Sequence, residues 1–192
     1  MLRRLYDWTL SLASHPQALW VLAVVAFVES SIFPIPPDVL MIPMILATPR
    51  RAWLIAGVAT VSSVLGGLAG YGIGYGLMDQ VGRPVLEFYG KDAYFGEFEA
   101  RYNEFGAWAV LIAGVTPFPF KVITILSGVT ALSLPVFIVA SIVARGLRFF
   151  LVAALLRAFG EPIRDFIERR LGLVFVVFCI VLVGGFIAVK YL

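Results

Sequence analysis

Residues 29–38 read E-S-S-I-F-P-I-P-P-D and residues 116–121 read T-P-F-P-F-K. Each stretch sets Pro-x-Pro, followed within two positions by a charge, inside otherwise apolar sequence. Proline donates no backbone hydrogen bond and its ring clashes with the preceding turn, so two in close succession end a helix. The chain around them is too apolar for water: 61% of its 192 residues are hydrophobic and 14% charged. A soluble domain carries roughly 45–50% and 25%. So few charges could not cover so much apolar surface, and an integral membrane protein is expected. In hydrocarbon, irregular backbone survives only where it is buried in protein or faces a water-filled cavity. Both proline breaks should therefore lie in the interior of a helix bundle.

The first break sits inside an apolar block covering 17–48. As one helix this block would reach about 48 Å, too long for about 30 Å of hydrocarbon. A re-entrant hairpin, entering and leaving on one side with its turn at the prolines, resolves both the length and the break. The second block, 105–131, has the same form. The expected tips are Pro34, Pro36 and Pro37 in the first hairpin and Pro117 and Pro119 in the second. Two kinked spanning helices are the alternative. Matching broken segments in two halves of a chain point to a transporter's central site.

Three further blocks read as transmembrane helices: 53–78, which has no charge, 134–156, which carries Arg145 and Arg148, and 172–190. Residues 1–16 place Leu2, Leu5, Trp8 and Leu12 at helical spacing and read as an interfacial helix. No small-x-small cleavage site follows the apolar run at 18–28, so this segment is expected to be retained. Residues 79–104 mix acids, bases and aromatics and read as an amphipathic stretch on the headgroups. The predicted architecture is all-α, one membrane domain over 1–192, with two oppositely entering hairpins and about three transmembrane helices. Positive-inside counting puts the N-terminus and 157–170 in the cytoplasm, whether the broken blocks are hairpins or full spans.

Composition also narrows the chemistry. One cysteine, Cys179, and one histidine, His15, leave no disulfide and a poor supply for a metal site. A formal net charge of +3 is too small to suggest nucleic acid. No metal or cofactor is expected.

Five charged residues within the apolar blocks are the candidate site. Glu29 and Asp38 flank the first proline turn, and an intramembrane carboxylate costs about 2.5–3.5 kcal/mol on insertion scales, which makes function the default reading. They could gate a substrate or exchange protons; Asp38 could instead cap the second arm of its hairpin. Lys121 could meet a lipid phosphate, neutralise an acid or snorkel to the interface. Arg145 and Arg148 are three apart and share a helical face, with Ser141 one turn earlier. A guanidinium fork suits phosphate, whereas pairing with Glu29 and Asp38 would make both arginines structural. Ser62, Gly66, Gly70 and Gly74 recur every four residues, and Gly72 with Gly76 repeats the spacing. Such stripes let another helix approach closely in lipid. They form no phosphate loop, which needs a strand-to-helix turn.

These motifs resemble those of the DedA family, also called the VTT or SNARE-associated Golgi protein family. The stretch 29–38 is similar to its first signature. G-G-L-A-G-Y-G-I-G-Y-G at 66–76 is similar to its glycine-rich helix, and G-V-T-P-F-P-F-K-V-I-T-I-L-S-G-V at 114–129 to its second signature. The resemblance covers about 17–157. It implies two oppositely entering hairpins among spanning helices, and lipid translocation or scrambling. Some bacterial members are credited with moving undecaprenyl phosphate or phosphatidylethanolamine, often tied to the proton gradient. Glu29 and Asp38 match the family's two acidic positions, and Lys121 stands where many members have the second of two arginines. Val115 or Thr116 stands where the first would be, so that charge is missing here.

The function expected from these readings is a lipid flippase or scramblase in a bacterial cytoplasmic membrane. Its substrate would bear an anionic or zwitterionic phosphate headgroup, and a homo-oligomer stays open. A membrane-embedded enzyme acting on a lipid phosphate would need a nucleophile or metal beside the bases, and a purely structural protein would tolerate neutral substitutions there. The expectation is therefore not an enzyme.

Overall fold

The computed structural model describes residues 17–33, 36–90, 92–116, 118–160 and 162. The interfacial helix expected at 1–16, the transmembrane helix expected at 172–190, Pro34, Pro117, His15 and Cys179 lie outside the described residues. Among the described residues the chain is helical with no strand. In order come α1 (Ala18–Ser31), α2 (Asp38–Ala47), a short 3-10 turn (Pro49–Arg51) and α3 (Ala52–Leu77). A π-helical turn (Met78–Gly82) leads to α4 (Arg83–Tyr89), α5 (Asp92–Val115), α6 (Phe120–Val129) and α7 (Leu134–Gly160).

Length separates two classes of helix. The stretches Pro49–Gly82 and Leu134–Gly160 are long and apolar enough to cross a membrane. At 10 to 14 residues, α1, α2 and α6 span only about 15–21 Å each, half to two thirds of a bilayer's hydrocarbon. Many outward-facing side chains on α1, α3, α7 and the C-terminal half of α5 are apolar, among them Trp20, Val24, Val61, Leu65, Trp108, Ile112, Val139 and Leu151. Together with the long apolar helices, this belt fits a membrane protein.

The glycine stripe of α3 sets the direction of its neighbours. A side chain at Gly66 would strike the carbonyl of Phe27, and one at Gly70 would come within 3.1 Å of the Ser30 carbonyl. Thus α1 runs parallel to α3, and α2 carries the chain back to the level where α3 begins. Leu22, Met41, Ile45, Ile55, Ala56 and Phe149 close an apolar core at that end.

A second reversal approaches from the other end. A side chain at Gly67 would meet the Phe120 ring at 3.5 Å, and one at Gly74 would strike the Ile125 carbonyl and come within 3.0 Å of Val129 N, so α6 also runs parallel to α3. Tyr102 meets Ser127 at 3.0 Å and Asn103 donates to the Thr130 carbonyl at 2.9 Å, while Gly114 lies against the Phe120 ring, which makes α5 antiparallel to α6. Its base lies beside the C-terminal end of α3, where the Tyr71 hydroxyl donates to the Leu132 carbonyl at 2.8 Å. The two proline breaks therefore point at each other from opposite ends of the bundle.

Within the expected stripe, Gly66, Gly70 and Gly74 lie against α1 and α6. Among the described residues, nothing lies within 4 Å of a side chain placed at Gly72 or Gly76. The expected boundary at 104–105 is absent as well: α5 runs unbroken through it. Charged Glu97, Glu99, Arg101 and Glu104 raise polarity without breaking a helix, and no proline intervenes.

Candidate functional site

The two tips meet the face of α7 that carries Arg145 and Arg148, near the middle of α3. Arg145 is 1% exposed. Its Nη2 donates to Glu29 Oε2 at 2.6 Å and its Nε to Ser63 Oγ at 2.6 Å. Ser30 Oγ donates to the same carboxylate oxygen at 3.0 Å and lies 2.7 Å from Ser63 Oγ. The guanidinium carbon sits 4.8 Å from the ring centre of Phe120 and 4.7 Å from that of Phe149. One buried ion pair thus ties α1, α3 and α7 together, with α6 contributing a covering ring. Such a pair survives desolvation only when its remaining hydrogen-bonding capacity is met, which the two serines largely do.

Arg148, one turn further along α7, has a more open setting. Its Nη2 donates to Asp38 Oδ2 at 2.7 Å and its Nη1 to the Thr116 carbonyl at 2.6 Å. Both ionic side chains retain 19% exposure, against 2% and 11% for Arg145 and Glu29. Asp38 is the first residue of α2, and the capping position is Pro37 with no side-chain cap. Its carboxylate thus goes to Arg148, while its place in the first turn still suits the helix dipole. Thr116 follows the end of α5. Arg148 consequently touches both tips at once.

Lys121 completes the group. Its Nζ donates to the Ile32 carbonyl at 3.1 Å, and Thr124 Oγ1 donates to the Ser30 carbonyl at 3.0 Å. The last turn of a helix leaves carbonyls without intrahelical donors. Here α6 satisfies two of those at the end of α1, and an ammonium is favoured at that negative helix end. Lys121 is half-buried, and it reaches across to the opposite tip.

All five expected charges thus come together, with Pro36, Pro37 and Pro119 beside them at the described parts of the breaks. The arginines are not left as a free pair: each has a carboxylate partner. Ser30, Ser63, Thr116, Thr124, Phe120 and Phe149 are partners that sequence reasoning did not single out. Hydroxyls in apolar helices were the available signal, since they commonly hydrogen-bond across helices. Ser141 is buried, and its Oγ has no hydrogen-bond partner among the described residues.

Comparison with other proteins places the chain in a family. Residues 35–158, which include Asp38, Lys121, Arg145 and Arg148, match the VTT domain. An uncharacterized protein of Haemophilus influenzae is 36% identical over 157 residues, covering 82% of this chain and 81% of that protein. Another, from Histophilus somni, is 35% identical over 168 residues, covering 85% and 87%. No solved structure matches the chain. With the domain match taking in both long apolar helices and most of the charged cluster, the chain belongs to the VTT-domain family, the DedA and SNARE-associated family.

Proposed function

We propose that this protein is a lipid transporter, a flippase or scramblase, and not an enzyme. In this reading both reversals are re-entrant hairpins entering from opposite faces of a bacterial cytoplasmic membrane, with the N-terminus in the cytoplasm. A phosphate-bearing lipid, such as a phospholipid or undecaprenyl phosphate, passes its headgroup where the tips meet while its tails remain in the bilayer. The observation that carries the reading is the half-buried cluster of Asp38, Arg148 and Lys121 at the junction of the two breaks. Charges at that depth are expensive and mark substrate or proton pathways. Arg148 and Lys121 would attract the phosphate, and Asp38 would gate it or exchange protons. Glu29 and Arg145 would hold the first hairpin to α3 and α7.

Reconstitution in liposomes tests this. A leaflet-exposure assay with candidate phospholipids and undecaprenyl phosphate, with and without a pH gradient, should show movement of at least one lipid and its loss in Arg148→Gln. Failure to move any of them would contradict the reading. The hairpin topology has its own test. A cysteine at exposed Tyr89, with Cys179 replaced, should react with an impermeant thiol reagent on intact cells. Labelling only after permeabilisation would favour two kinked spans.

A further inference from the structure

We infer that Asp38 is a tethered competitor for the lipid phosphate: its carboxylate holds the place on Arg148 that the headgroup takes. Headgroup binding and release of the first tip are then one exchange. The inference rests on the transport reading above and adds how its site is regulated.

The two arginines differ in what they can offer an incoming anion. Arg145 donates through Nε and Nη2 to protein partners, has aromatic rings close to its guanidinium, and is sealed from solvent. An anion could reach it only by dismantling the α1–α3–α7 contact. Arg148 keeps exposed surface and binds Asp38 through one nitrogen and one oxygen. This is not the two-point fork that makes an arginine–carboxylate pair specific. A single charge-assisted bond at a partly wetted position is the easier one to exchange. A phosphate can accept from Nη2 in place of Asp38 and turn a second oxygen toward a nearby cation, which a single-point carboxylate does not do here.

Charge points the same way. Among the described residues, the charged groups facing the junction are Asp38 from α2, Lys121 from α6 and Arg148 from α7, with Glu29 and Arg145 cancelling one another beside them. Two cations against one carboxylate leave one positive charge, which a phosphodiester neutralises. With the phosphate bound, Arg148 no longer needs Asp38. The link from Arg148 to the first tip is then lost, while its bond to Thr116 on the second tip can persist. Binding would thereby loosen one side of the junction only.

The test is a titration of the full chain in detergent with two soluble lipids: dihexanoyl phosphatidylglycerol as phosphodiester and dihexanoyl phosphatidate as phosphomonoester. Asp38→Asn and Asp38→Ala should bind on the order of tenfold more tightly than wild type, the weight of roughly one charge-assisted hydrogen bond. Arg148→Gln should bind more weakly. A second readout needs no change at Asp38. In a Cys179→Ser background, Phe33→Cys at the exposed first tip should label several-fold faster when lipid is added. Unchanged or weaker binding in the Asp38 variants, or an unchanged labelling rate with lipid bound, overturns the competition while leaving the transport reading intact. Absence of lipid binding in wild type and all variants, together with no movement in liposomes, sinks both.

Discussion

Glu29–Arg145 and Asp38–Arg148 join the same two partners, the first reversal and α7, one helical turn apart, yet they have different surroundings. The first pair is surrounded by Ser30, Ser63, Phe120 and Phe149, and it sits where α1 touches the glycine stripe. The second sits at the end of α5 and the start of α2, where helix ends meet and water or a headgroup can approach. Chemistry is nearly identical in the two; burial and completeness of hydrogen bonding are not. A charge whose remaining hydrogen-bonding capacity is met by buried neighbours has become architecture, whereas one that keeps an open side can still exchange partners.

The most severe way to break this comparison removes the scaffold that both pairs share. Gly74→Leu should prevent α6 from docking, because its Cβ would occupy the position of the Ile125 carbonyl and neither backbone can yield. Loss of folded protein on fluorescence-detected gel filtration checks this. Gly72→Ala, facing open space, should be indistinguishable from wild type in the same run.

A milder break separates the pairs by stability. Glu29→Gln should cost about 3–5 kcal/mol by stranding a buried guanidinium. Adding Arg145→Met should return most of that, because apolar replacement of a buried pair is often neutral or better. Thermal melts of the two variants in nanodiscs decide it, and no recovery in the double variant would mean the pair is not the unit proposed.

Much of this was legible in the sequence. The prolines at 33–38 and 116–121 with their flanking charges located the junction, because broken helices and intramembrane charges both carry costs that function must offset. The helix at Ala52–Leu77 begins one residue before its expected start and ends one before its expected finish. What could not be read was rotation. A helix turns about 100° per residue, so sequence spacing put Ser62 in the stripe, while the residue that meets Arg145 is its neighbour Ser63. For the same reason Gly72 and Gly76 repeat the spacing where nothing among the described residues packs. The assignment of each acid to its arginine is equally a matter of rotation and depth, which only tertiary packing fixes.

The smallest expected effect lies outside both pairs, at the turn that delivers α7. Leu132 N–H donates to the Ser127 carbonyl and Ala131 N–H to that of Gly128, closing the end of α6 with Ala131 at φ 46°. This left-handed position favours glycine. Ala131→Gly should raise stability by up to about 1 kcal/mol, relief of the Cβ penalty being partly offset by a freer unfolded chain. An unchanged melting temperature would show that packing already absorbs the strain.

The division of labour between the pairs is the central claim, and transport by the two neutralised pairs tests it most directly. Liposomes carrying Glu29→Gln with Arg145→Met should still move lipid at a substantial fraction of the wild-type rate. Liposomes carrying Asp38→Asn with Arg148→Gln, at equal folded protein, should move none. The reverse order, or equal loss in both, would contradict the account.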